Sequence, residues 1–244
     1  PGGITNADWV NTFGGDGFYC FRHPTRDNFI FTEFQGGMIL RYDGATGNVK
    51  WLKPYASGEE DKYRFNWNSP IHLSPNKPER IYFGSQYLFV SEDMGESWQR
   101  ISPDLSTNDP EKLRQQESGG LSIDNSTAEN HCTIYAIAES PLDDQTVWAG
   151  TDDGNLQVST DLGKTWTNVV GNIPGLPKNT WVSYIEPSHF DPATAYAVFD
   201  GHRSGDKTPY LYKTTDLGKN WTAVNTAGVE SYALSFREDL INPD

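Results

Sequence analysis

The sequence predicts an all-β protein, a β-propeller of four-stranded antiparallel blades, of which about four are present. One observation is a short motif that occurs three times, as SEDMGESW (91–98), STDLGKTW (159–166) and TTDLGKNW (214–221). Another is a longer shared frame with an equivalent proline in each copy, at Pro24, Pro75, Pro141 and Pro192. A repeat of roughly 50 residues that holds several short strands has the size of one propeller blade.

The repeated motif predicts a tight turn between two strands. An Asp carboxylate accepts hydrogen bonds from nearby backbone N–H groups, Gly adopts positive φ, and Trp anchors the next strand by burying a large ring. A fourth, altered copy is YDGATGNVKW (42–51). We expect structural roles for the motif residues, which are Asp43, Asp93, Gly95, Trp98, Asp161, Gly163, Trp166, Asp216, Gly218 and Trp221.

The chain divides into repeated units within a single propeller fragment over residues 1–244. Aromatic and β-branched runs bounded by Gly, Pro and Asn predict the strands of four units, at roughly 9–53, 63–101, 130–169 and 180–224. Residues 102–129 are a polar insertion that we expect to be a binding loop or a flexible one. Residues 225–244 match the start of a further unit, with Asn242 and Pro243 at the proline position. We therefore expect the fragment to be part of a larger propeller.

The frame SPxxxxxIYxGSxxxLxxSxDxGxxW resembles the Asp-box, also called the bacterial neuraminidase repeat. It is most similar to the sortilin-like propellers of vacuolar sorting receptors and to bacterial relatives described as glycosyl hydrolases. The resemblance covers nearly the whole chain, and it implies a fold more strongly than a function. It also implies that the Asp turns lie at the blade periphery, away from a central site.

Charge and composition disfavour several classes of partner. The net charge of −14 would repel a phosphate backbone, so we expect no nucleic-acid ligand. No apolar run approaches the ~18 residues of a membrane-spanning helix. Cys20 and Cys132 lie in apolar stretches of non-neighbouring units, which indicates two buried free thiols, and no CxxC spacing is present. We expect neither a metal nor a cofactor.

Polar and aromatic side chains precede the predicted inner strands, whose entry loops meet at the mouth of a propeller channel. Aromatic rings beside Asn and Arg suit sugar or peptide recognition by stacking and hydrogen bonding. The candidate ligand-binding residues are Arg64, Asn66, Trp67, Asn68, His131 and Trp181. The two tryptophans could instead pack between blades.

No catalytic constellation stands out in the sequence. A sialidase needs three clustered arginines, and only Arg64 falls in the repeating inner-strand frame, so a sialidase is disfavoured. Other glycosidases need two carboxyl groups about 5–10 Å apart. Weak candidates for this pair are Asp16, Glu117 and Glu129.

The main functional prediction is a non-catalytic propeller that binds a peptide, protein or glycan at its channel mouth. We expect it to be secreted, periplasmic or at the cell surface, and the ring to be completed by the rest of the same propeller or by another chain. One alternative is a glycoside hydrolase that acts on a polysaccharide through two carboxylates. A second alternative is a purely structural module of a large surface or secreted assembly.

Overall fold

The computed structural model describes residues 2–58, 62–123, 125–126 and 128–242. In these ranges the chain forms four four-stranded sheets, and each is an antiparallel meander of strands that are consecutive in sequence. The predicted all-β propeller architecture is confirmed. Pro243 of the predicted fifth unit lies outside the described residues.

The strands follow the predicted repeat in chain order. The first sheet contains β1 (Gly17–Arg22), β2 (Phe29–Phe34), β3 (Met38–Asp43) and β4 (Asn48–Trp51). The second contains β5 (Ile71–Leu73), β6 (Ile81–Gly84), β7 (Leu88–Ser91) and β8 (Gln99–Arg100). The third contains β9 (Ile134–Ser140), β10 (Asp143–Thr151), β11 (Leu156–Ser159) and β12 (Thr167–Asn168). The fourth contains β13 (Trp181–Pro187), β14 (Ala195–Asp200), β15 (Tyr210–Thr214) and β16 (Thr222–Ala223).

Helical structure in the described residues is limited to short 3-10 turns. They span Asn6–Asp8, Gln115–Glu117, Val170–Asn172 and His202–Ser204. None of the helices found there has the length and apolar character needed to cross a bilayer.

Three apolar clusters hold neighbouring sheets together in chain order. Phe31 and Ile39 of the first sheet pack with Ile71 and Phe83 of the second. A second cluster joins the second and third sheets through residues such as Tyr82, Leu88, Ile134 and Val147. The third joins the third and fourth sheets through residues such as Trp148, Leu156, Val182 and Phe199. The sheets therefore pack face to face, as the blades of a propeller do.

The turn from β7 to β8 shows how the repeated motif folds. Ser91 Oγ donates to Asp93 Oδ1 (2.7 Å), and the Ser97 backbone N–H donates to the same oxygen (2.9 Å). The Gly95 N–H donates to Ser91 Oγ (2.7 Å), and Gly95 has φ of 86°. The same bonds recur around Asp161 and Asp216.

Each of these turns lies against the segment that leaves the preceding sheet. Trp98 Nε1 donates to the carbonyl of Leu52 (2.6 Å), and Trp166 Nε1 donates to that of Ile101 (3.1 Å). A Cβ on Gly218 would lie 2.9 Å from Val169 Cγ2, so the third turn also contacts its neighbour closely. The motif thus contributes to the joint between blades as well as to the turn itself.

The altered copy at Asp43 folds differently. Its carboxylate accepts from Ala45 N (2.9 Å) and Thr46 Oγ1 (2.8 Å), so it also closes a turn. The glycine with positive φ, Gly47, lies four residues after the Asp and donates to the Asp43 carbonyl (2.7 Å). Trp51 remains 46% exposed, whereas Trp221 is buried.

Two further segments are held by contacts that the sequence did not predict. The insertion is anchored at its start, because Leu105 is buried and its N–H donates to the Gln86 carbonyl (3.0 Å). Residues 225–242 contain no strand, yet Phe236 packs on Tyr196 with ring centroids 4.5 Å apart.

Both cysteines are free, but only Cys132 is buried, since Cys20 is exposed on β1.

Candidate functional site

The entry loops of the second and third sheets are hydrogen-bonded to each other at the end where β5 and β9 begin. Asn66 Nδ2 donates to Asp152 Oδ2 (2.9 Å) and to Thr133 Oγ1 (3.1 Å). Asn68 Nδ2 donates to the Tyr135 hydroxyl (3.3 Å). These bonds cross between loops that are far apart in sequence, so they fix the shape of this end of the molecule, which we call the mouth.

Trp181 begins β13 and lies in a polar and aromatic cluster at the mouth. Its ring is 5.9 Å from the His131 ring and 5.2 Å from that of Tyr135. The Arg203 guanidinium lies over the Trp181 ring, 4.5 Å from its centroid. Trp181 is partly exposed, so the cluster presents an aromatic surface to solvent beside hydrogen-bonding groups.

The buried carboxylate of Asp152 lies beside His131 of this cluster. Asp152 accepts from the N–H and Oγ1 of Thr133 (2.9 and 2.7 Å), and its Oδ2 is 3.6 Å from His131 Nδ1. Burial raises the pKa of Asp152 above its ordinary value, against the opposing effects of His131 and Thr133. Asp152 therefore couples the position of His131 to the loop that carries Asn66.

Arg64 and Trp67 complete the set of ligand-binding candidates. Arg64 forms an ion pair with Asp104 (2.6 Å) and donates to the Cys132 carbonyl (3.3 Å), so it ties the insertion to the third sheet. Trp67 is partly buried in the loop before β5. The structure thus brings Asn66, Asn68, His131 and Trp181 into one connected cluster, while Arg64 is held within protein contacts.

The three predicted carboxylate candidates lie in separate surroundings. Asp16 is exposed, and its backbone N–H donates to Gln35 Oε1 (2.9 Å). Glu117 pairs with Arg114, its near neighbour in the insertion (2.9 Å). Glu129 accepts from the Ser126 N–H (2.6 Å) and hydroxyl (2.8 Å). In the described part of the chain, no hydrogen bond or ion pair links one of these carboxylates to another.

Glu33 is an acid that the sequence interpretation missed. It lies on β2, is 0% exposed, and accepts the Ser69 N–H at Oε1 (3.3 Å). Its Oε2 has no hydrogen-bond partner among the described residues. Burial raises the pKa of Glu33 to about 9, so the carboxyl group is protonated at pH 7. A carboxylic acid inside the apolar strand FIFTEF (29–34) was the available indication.

A groove runs along the inner strands away from the mouth and has a volume of about 240 Å³. Glu139 lies in its wall with both oxygens bonded, to Ser74 Oγ (2.6 Å) and the Tyr82 hydroxyl (2.5 Å) among others. His72 Nε2 accepts the Glu139 N–H (3.1 Å), and burial lowers the pKa of His72 to about 4. Among the described residues, no group of three or more His, Cys, Asp and Glu is arranged to hold a metal ion.

Four antiparallel sheets that share one groove along their first strands define a partial β-propeller, and solved structures with this fold include glycoside hydrolases. A GH74 xyloglucanase from Xanthomonas campestris aligns with a TM-score of 0.57 and 18% identity over 89% of this chain and 31% of that one. A GH74 enzyme from Niastella koreensis aligns with a TM-score of 0.52 and 19% identity over 87% of this chain and 30% of that one. No protein-family model matches the chain.

Curated relatives give a similar result at the level of sequence. The chain is 27% identical over 218 residues to an oligoxyloglucan-reducing end-specific xyloglucanase of Emericella nidulans, which covers 85% of this chain and 24% of the relative. It is 26% identical over 251 residues to a xyloglucanase of Acetivibrio thermocellus, covering 88% of this chain and 27% of the relative. The chain therefore spans about a quarter of the length of these relatives.

These similarities correct the main functional prediction. A non-catalytic propeller that binds a peptide, protein or glycan was expected, but the curated relatives are named as xyloglucanases, which are hydrolases. The finding favours the glycoside hydrolase alternative. The resemblance is confirmed in its coarser form, a β-propeller related to glycosyl hydrolases, while its Asp-box and sortilin-like details remain predictions.

Proposed function

We propose that this chain is part of a β-propeller glycoside hydrolase that acts on xyloglucan or a closely similar polysaccharide. The observation that carries the proposal is the similarity to the Emericella nidulans xyloglucanase along 85% of the chain. A polysaccharide of this kind is an extracellular substrate, so the proposed location is outside the cytoplasm. The Asp turns then serve the scaffold, since their carboxylates are occupied by bonds within each turn.

The mouth supplies the proposed surface for the glycan. Sugar rings stack on aromatic faces through their C–H groups, and Trp181 offers a partly exposed ring that Tyr135 and Arg203 support. Asn68 and His131 lie beside it and can exchange hydrogen bonds with sugar hydroxyls.

For the chemistry, the first hairpin offers two carboxyl groups in contrasting environments. Glycosidases pair a protonated acid with an ionised carboxylate. The pKa of Glu33 is raised to about 9, which keeps a proton available, while Asp16 is exposed to solvent. Gly17 of β1 pairs with Phe34 of β2. Asp16 directly precedes Gly17 in the sequence, and Glu33 directly precedes Phe34. We assign Glu33 as proton donor and Asp16 as its partner, with substrate binding opening access to the buried Glu33.

The test is release of reducing ends from xyloglucan by the purified protein of which this chain is proposed to be a part. We expect Glu33→Gln and Asp16→Asn each to lower kcat by at least about 100-fold, because each removes one partner of the acid–base pair. Trp181→Ala should mainly raise KM, since it removes a binding surface. Glu117→Gln is the matched control and should leave turnover unchanged. Absence of any hydrolysis by the wild-type protein of which this chain is proposed to be a part contradicts the proposal, and full activity of Glu33→Gln contradicts the assignment of the proton donor.

A further inference from the structure

The groove along the inner strands contains Glu186, an acidic residue that the proposed hydrolase chemistry does not use. Its walls come from β1, β5, β9 and β13 and are largely apolar, formed by residues such as Phe21, Ile71, Leu73, Ile137 and Ile185. Glu186 lies in the same wall, near the end of β13, and is 4% exposed. Since Trp181 begins β13 and Glu186 lies close to its end, this group is at the opposite end of the strand from the mouth.

One oxygen of Glu186 is satisfied and the other is not. Oε2 accepts from the Tyr184 hydroxyl (3.3 Å) and from Arg237 Nη1 (3.0 Å). Oε1 is buried without a hydrogen-bond partner among the described residues, and His189 Nε2 is 3.6 Å away. Leaving a buried acceptor unpaired destabilises the folded chain, and more so when the acceptor carries charge. A ligand that donates a hydrogen bond to Oε1 would remove this cost.

The charges around Glu186 favour a cationic donor. Glu139, the other acid in the groove wall, is already paired with the buried Arg80 (3.4 Å). The pKa of His72 is lowered to about 4 by burial, so His72 adds no positive charge at pH 7. Arg237, whose side chain is 75% exposed, pairs with Oε2 of Glu186 (3.0 Å), which leaves Oε1 as the oxygen available to a second cation. The chain as a whole carries −14 charges, which raises the local concentration of cations.

We propose that this groove binds a small primary ammonium ion with a compact apolar body. The ammonium group donates to Glu186 Oε1, and the body packs against Phe21, Ile71 and Ile137. A volume of about 240 Å³ accommodates a molecule the size of a single aromatic ring with one substituent. The site is separate from the mouth and does not depend on glycan hydrolysis.

Benzylammonium and benzyl alcohol are matched probes, because they share shape and differ in charge. We expect calorimetric titration of the chain at pH 7 to show benzylammonium binding at least about tenfold more tightly than the alcohol. Glu186→Gln should weaken benzylammonium binding by roughly tenfold or more, because the charge-assisted bond is lost. Glu230→Gln makes the same change in net charge at an exposed position and should leave the affinity unchanged.

Two further variants keep the outcome clear if Glu186→Gln folds poorly. Arg237→Gln removes the competing cation and should strengthen benzylammonium binding, whereas a merely structural Glu186 would show no gain. Leu73→Trp fills the groove from a partly exposed position and should abolish binding while leaving the Glu186 carboxylate in place. Equal affinity for the two probes, or unchanged binding in Leu73→Trp, would overturn the proposal.

Discussion

The backbone N–H of Ser69 donates to Glu33 Oε1 across 3.3 Å, which joins the second sheet to an acid buried in the first. Ser69 is itself held by its hydroxyl, which donates to the Asn66 carbonyl (3.0 Å). Asn66 in turn bonds to Asp152 of the third sheet. A continuous set of hydrogen bonds therefore connects Glu33, in the first sheet, with the aromatic cluster of the mouth.

The raised pKa of Glu33 makes the stability of the chain depend on pH. The unfolded chain loses the Glu33 proton near the ordinary value of 4.5, whereas the folded chain keeps it up to about 9. The contribution of Glu33 is therefore fully present below about pH 4.5 and is lost as the pH rises towards 9. We expect the free energy of unfolding to fall across this window, by up to about 1.4 kcal/mol per pH unit from Glu33 alone.

Glu33→Gln isolates this effect, because glutamine preserves an acceptor for Ser69 and does not titrate. Urea unfolding of both proteins at several pH values between 5 and 9 should show a shallower decline for the variant. Glu79→Gln, at an exposed position, is the control and should follow the wild type. Parallel curves for wild type and Glu33→Gln would mean that Glu33 is ionised in the folded chain.

His72 should produce the opposite dependence at low pH. Its folded pKa is lowered to about 4 from 6.5 by burial, so the unfolded chain takes up a proton first as the pH falls. The stability contributed by neutral His72 is present above about pH 6.5 and is lost as the pH falls towards 4. NMR titration of the imidazole protons should show no transition for His72 above about pH 5. A midpoint near pH 6.5 would show that the imidazole is solvated.

Much of the scaffold was predictable because the Asp turn is a local structure. The bonds around Asp93 span at most four residues, so their pattern is visible in a window of eight. Glu33 was missed because its contact with Ser69 joins residues that are 36 positions apart in sequence. Arg64 was expected to face a ligand, but the insertion supplies Asp104 as its partner, and no local pattern encodes that pairing. Long-range polar contacts are thus where the sequence interpretation was weakest.

Gly95 should tolerate no side chain, for two separable reasons. Its φ of 86° is strained for any residue with a Cβ, and that Cβ would lie 2.7 Å from Leu52 Cδ1 of the preceding sheet. Gly205 has a similar φ of 84° with no atom within 4 Å, so Gly205→Ala measures backbone strain alone. We expect Gly205→Ala to cost about 1 kcal/mol and Gly95→Ala about 2–4 kcal/mol in urea unfolding. Gly95→Ala should cost less in a Leu52→Ala background than in the wild type if the clash is real, and equal costs at the two glycines would exclude it.

The pair formed by Arg80 and Glu139 gives the sharpest test of how the second and third sheets are joined. Arg80 is 1% exposed, and its Nη1 lies 3.4 Å from Glu139 Oε2, while Ser74 and Tyr82 also bond to this carboxylate. Because desolvation offsets much of the attraction in such a pair, removing one partner should cost more than removing both. We expect Glu139→Leu alone to destabilise the chain by about 3–5 kcal/mol, since the acidic partners that Arg80 retains among the described residues, Glu92 and Asp144, have more exposed side chains. The double variant Arg80→Met with Glu139→Leu should recover at least about 1 kcal/mol of that loss in urea unfolding. If the two substitutions simply add, the buried pair is uncoupled and the bonds from Ser74 and Tyr82 account for the stability of this joint.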